Sequence, residues 1–152
     1  MDSTQIHEGP KPLPVRRVAW WLATLGMSVS AWVLLMLVPY YGNDIDDLPG
    51  GVYVDPSSVW PQAALDTVGG LSGVLLQILI TPVLLAALFL PVIAFASAAF
   101  GGFALVPSSW GPPWELSPPA RRLMWVVVVL AVVSFATYLS PVGSDAWFWS
   151  LD

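Results

Sequence analysis

Carboxylates are the only side chains in this 152-residue chain that crowd together in a pattern suggestive of chemistry. Asp44, Asp46, Asp47 and Asp55 share one turn-rich segment. Two uses follow from that grouping. A hard cation such as calcium takes several carboxylate and carbonyl oxygens, and paired carboxylates can share acid and base roles. The spacing argues against the first. Counted from Asp44, Leu48 occupies the fifth position of a calcium loop, where a ligand is needed, and Pro49 stands where the sharp turn requires glycine. The flanking turn formers, Gly42-Asn43-Asp44 and Asp47-Leu48-Pro49-Gly50-Gly51, give the carboxylates no fixed frame for acid–base work. An acidic, solvated loop is the preferred reading, and a cation or partner sensor is the alternative.

Other chemistries lose their residues outright. The chain has no cysteine and one histidine, His7. Disulfides, thiolate metal sites and a bis-His haem within the chain are excluded. Five Lys and Arg in all leave no basic surface for nucleic acid. No cofactor, metal or soluble substrate is expected, and the chain is read as non-catalytic.

The elements that would carry any site are three apolar blocks, 18–41, 70–106 and 123–139, which contain no Asp, Glu, Lys, Arg or His. A hydrocarbon core of about 30 Å needs about 20 apolar helical residues to cross it. Mean hydropathy is +0.74 and only 10% of residues are charged, against about 25% in soluble domains. The expected fold is therefore all-α: a polytopic bundle of three transmembrane helices forming one membrane domain, 18–152, behind a tail at 1–17. The expected spans are 18–41, 70–95 with a continuation to 106, and 123–140. Ionisable residues inside the bilayer mark proton relays and ion paths, and their absence here argues against a proton-coupled carrier.

Charge asymmetry orients the bundle. Lys11, Arg16 and Arg17 precede the first block, and Arg121 and Arg122 precede the third. The 42–69 loop and the 141–152 tail carry acids and no base. Basic flanks stay cytoplasmic, so the N-terminus and the 107–122 loop are expected inside, and the 42–69 loop and C-terminus outside. Interface aromatics follow the same division: Trp20, Trp21, Trp110, Trp114 and Trp125 inside; Tyr40, Tyr41, Trp60, Tyr138, Trp147 and Trp149 outside. Anchoring outweighs any substrate-stacking role for them. A cleaved signal is disfavoured because apolar sequence continues past Val29-Ser30-Ala31.

The central block is too long for one straight span. Pro82 and Pro91 each remove an N–H and crowd the carbonyl four residues back, and predict kinks. A hairpin near Pro91, giving four spans, is the alternative. The same block holds small and polar residues at helical spacing: Gly69, Gly73, Gln77 and Thr81 on one face, and Ala94, Ala98 and Gly102 on a second. Such rows let helices approach closely and hydrogen-bond across the contact. The functional expectation is a structural or accessory subunit of a larger membrane complex, with lipid and other membrane subunits, or itself, as partners. A small pore or transporter component using the kinked helix is the alternative. Residue usage, with a single Lys and abundant Ala, Val, Gly, Pro and Trp, suits a bacterial plasma membrane.

Overall fold

Proline sets most of the element boundaries. The computed structural model describes residues 12–49, 54–59, 63, 67–106 and 115–151. Among these there are five helices and no strand. They are α1 (Val15–Gly42), α2 (Gly70–Leu88), α3 (Leu90–Leu105), α4 (Pro118–Leu139) and α5 (Pro141–Trp149). Pro14 precedes α1, while Pro118 and Pro141 open α4 and α5, where a missing N–H costs nothing. Val106 leaves α3 in an extended conformation (φ −65°, ψ 140°), as a residue before proline must. α1, α2 and α4 are each long and apolar enough to cross a bilayer, and α3 is a shorter apolar helix.

α1 is not regular throughout. Val33–Leu37 forms a π-helical turn that ends two residues before Pro39, which is buried. The Pro39 ring would crowd the Leu35 carbonyl, and the wider turn makes room for it. Past the proline, the Asn43 side-chain amide donates to the Pro39 carbonyl at 2.7 Å and closes the helix end. From sequence, kinks are expected at Pro82 and Pro91 and not at Pro39.

α1, α3 and α4 share a core. α1 buries Val18, Leu25, Ser28, Trp32 and Met36; α3 buries Leu90, Ala94, Ser97 and Gly101; α4 buries Ala120, Met124, Val127, Ala131 and Ser134. Steps of three and four residues keep each set on one helical face. Small side chains recur in all three seams, which lets backbones approach. Ser28 and Ser134 donate to the carbonyls of Thr24 and Leu130 in their own helices, so neither hydroxyl is left unpaired.

Helix directions follow from the contacts. Leu13 pairs with Leu116, its N–H donating to the Glu115 carbonyl at 2.9 Å, so α1 and α4 start at the same end. At the other end the Tyr41 hydroxyl donates to the Val142 carbonyl at 3.1 Å. α3 runs against both. Its Phe95 packs at a tilt against Phe135 with ring centroids 5.8 Å apart, while its Gly101 sits against Val128 and Met124.

The central block is divided into two helices close to Pro91. Helical backbone breaks at Phe89 (φ −88°, ψ 7°), two residues before Pro91. Hydrogen bonds still bracket the break, from Phe89 N–H to Leu85 O and from Ile93 N–H to Phe89 O, each 2.9 Å. Residues 96–105 are helical, and α3 packs along α4. Pro82 lies inside α2 without ending it. At the start of α2, Gly70 has φ +69°, a conformation glycine adopts without strain.

Candidate functional site

The residues singled out from sequence fall chiefly in four places: the exposed face of α2, one side of α3, the basic end and the aromatic end. On α2, Gly69 caps the helix and is exposed. Gly73 is buried by a local contact, since a Cβ there would meet the Val68 carbonyl of the entering chain. Gln77 and Thr81 are both exposed. The Thr81 hydroxyl donates to the Gln77 backbone carbonyl at 2.7 Å, and the Gln77 side-chain amide pairs with no described residue. Leu71, Val74, Leu75, Ile78 and Leu79 are exposed around them, and only the Leu76–Ile80–Leu84–Ala87 side is partly or fully covered.

The second small-residue row lies elsewhere. Ala94 is fully buried and Ala98 packs against the core. Gly102 has open space where a Cβ would stand; its neighbour Gly101 makes the close approach, 2.7 Å from an added Cβ to Val128 Cγ2 and 3.3 Å to Met124 Sδ. The signal for Gly101 was the mixed three-and-four spacing from Leu90 through Ala94 and Ser97, which a strict step of four passes over.

At the basic end, Arg16 and Arg17 occupy the first turn of α1, and Arg121 and Arg122 the first turn of α4; all four are exposed. Lys11 lies outside the described residues. Beside Arg17 a cavity of about 300 Å³ opens between α1, α3 and α4. Trp21 forms part of its wall, and its indole N–H donates to Ser97 Oγ at 2.9 Å. Trp20 and Trp125 are exposed on the same half of the bundle.

The opposite end is aromatic. Tyr40 contacts Tyr41 and Trp149 at centroid distances of 5.0 and 5.6 Å. Tyr138 meets Trp147 edge-on at 5.6 Å. The Trp149 indole donates to the Val54 carbonyl at 2.9 Å and so ties α5 to the loop after α1. The Trp147 indole lies 3.5 Å from the Leu88 carbonyl at the helix break. An apolar groove beside it is lined by Phe89, Pro91, Phe95 and Phe135. Trp60, Trp110 and Trp114 lie outside the described residues. Trp32, which sequence reasoning did not select, is buried in the core with its indole N–H unpartnered.

The acidic loop folds into a 3₁₀ turn, Ile45–Asp47, entered by Asp44 in the left-handed region (φ 52°). Among the described residues no three His, Asp or Glu side chains come together as a metal-binding group. No family model, curated protein or solved structure matches the chain.

Proposed function

We propose that this chain is a non-catalytic integral membrane protein, a structural or accessory subunit of a larger complex in a bacterial plasma membrane. In this reading both basic helix starts face the cytoplasm and the aromatic end, with the C-terminus, faces outward. In it α2 lies within the bilayer against α1, and α3 packs on α4.

The observation that carries the subunit reading is the Gln77 amide. It stands unpaired on the exposed side of a helix that is apolar all round. An amide left without a partner in hydrocarbon costs about 2 kcal/mol or more, and a polar side chain from another helix is the usual remedy. The Thr81 hydroxyl donates to the Gln77 backbone carbonyl and makes no bond to the side-chain amide. The pore reading draws support only from the break at Phe89 and Pro91. The groove beside that break is apolar, and Gln77 and Thr81 line neither of the two cavities described above.

A photo-crosslinking residue at Gln77 tests the reading in the native membrane. The expected product is one discrete adduct with a different membrane protein, and no such adduct from the same probe at Val129, which is exposed on α4. Adducts of this chain with itself alone, or lipid adducts alone at both positions, would overturn the subunit reading.

A further inference from the structure

The cavity at the basic end combines an apolar interior with a cation at its rim. Leu13, Trp21, Phe100, Phe103 and Met124 supply apolar wall, and Arg17 lines the same cavity with its side chain exposed. The Trp21 indole N–H is already engaged by Ser97, so the wall offers a ligand no free donor there. At about 300 Å³ the cavity reaches the lower end of the range that ordinary ligand sites occupy.

Charge around the mouth is predominantly basic. Arg121 lies three residues before Met124 on α4, hence one turn further toward the end on nearly the same face. Arg16 and Arg122 flank the two arginines. Glu115 is the one acidic residue described at this end, whereas the opposite end carries Asp44, Asp47, Asp55 and Asp145. An apolar slot with a guanidinium at its mouth complements a molecule with an apolar chain and an anionic head. Basic pockets between membrane helices hold anionic lipid headgroups in this way. The Arg17 stem can lie along the slot while its head stays at headgroup level.

We infer that this cavity is a binding site for one anionic phospholipid, with an acyl chain in the slot and the phosphate on Arg17. The inference rests on the membrane reading, not on the identity of any partner subunit, so the Gln77 crosslink can fail without touching it.

The test uses the full chain in nanodiscs of equal phosphatidylglycerol and phosphatidylcholine, with native mass spectrometry counting retained lipids. The site predicts one retained phosphatidylglycerol per chain, favoured about fivefold or more over phosphatidylcholine. Arg17→Gln lowers that retention about fivefold, as expected for one arginine at the membrane surface, while Arg16→Gln, one residue off the cavity, changes it little. Ala104→Phe fills the slot and removes retention with every arginine in place; Ala104 is part of the cavity wall. Millimolar inorganic phosphate does not compete. Equal retention of both lipids, equal losses in the two arginine variants, or displacement by free phosphate overturns the site. Should Ala104→Phe fail to fold, the two arginine variants decide the question alone.

Discussion

Replacing Gly143 with alanine is expected to undock α5 from the bundle. A Cβ at this position would meet the Thr137 carbonyl oxygen, with the Tyr138 Cα at 2.7 Å and the Thr137 carbonyl carbon at 2.9 Å. All three are backbone atoms of α4, and no rotamer change moves them away. The junction is also tightly bonded. Ser140 N–H donates to Ala136 O and Thr137 O, and the Gly143 and Ser144 N–H groups both donate to Ser140 O. α4 can therefore yield only by giving up its last turn. What depends on α5 then goes with it: the Tyr41 to Val142 hydrogen bond, the Trp149 to Val54 hydrogen bond and the Tyr138–Trp147 edge contact. The cost should reach about 3 kcal/mol, the upper part of the range for overpacking a tight site. SDS titration in mixed micelles reads the loss as a lowered unfolding midpoint, and limited proteolysis should cut the C-terminal segment. A variant as stable and as protease-resistant as the parent would show that α5 does not pack on α4 in this way.

Trp32 should give the second large effect, with opposite outcomes for two substitutions. Its ring is 2% exposed in the core, and its indole N–H has no hydrogen-bond partner. Trp32→Ala leaves a cavity that close-packed neighbours fill only in part. Such truncations cost about 3–5 kcal/mol in water-soluble cores. The lower end applies here, because helices in lipid are held by packing more than by exclusion of water. Trp32→Phe keeps most of the ring and removes the orphaned donor, whose burial costs about 1–3 kcal/mol. The phenylalanine variant should match or exceed the parent in SDS resistance, and the alanine variant should lose about 3 kcal/mol. If phenylalanine proves as damaging as alanine, the indole N–H has a partner and the core is arranged differently.

The apolar blocks were legible because a bilayer demands long uncharged segments, and the structure has three helices that meet that demand. The joint grouping of Arg16 and Arg17 with Arg121 and Arg122 was legible for the same reason, since basic residues flank apolar blocks. Seam residues were harder to read. In a helix that is apolar all round, hydrophobicity does not separate core from lipid face. Gly101 and Gly102 therefore look alike in sequence, and only the approach of Val128 and Met124 distinguishes them. Trp32 resembles its neighbours for the same reason, and the aromatic-belt argument applies to tryptophans near charged flanks rather than in mid-block. The helix breaks at Phe89, two residues before Pro91, because a proline is well accommodated in the first turn of a new helix. Pro39 was passed over because it stands near the end of its block, where a proline reads as a helix stop, yet the chain absorbs it in a π turn and continues.

The proposed function and the lipid site rest on one proposed arrangement: a bilayer-embedded bundle with both basic helix starts on the cytoplasmic side. The chain has no cysteine, so single cysteines report position without background. Glu115→Cys marks the basic end and Asp145→Cys the aromatic end, and both parent residues are exposed. The decisive measurement is labelling with a membrane-impermeant maleimide in intact cells and again after permeabilisation. Asp145→Cys should label in intact cells, and Glu115→Cys only once the membrane is opened. Labelling of both from outside, or the reverse order, would contradict the arrangement.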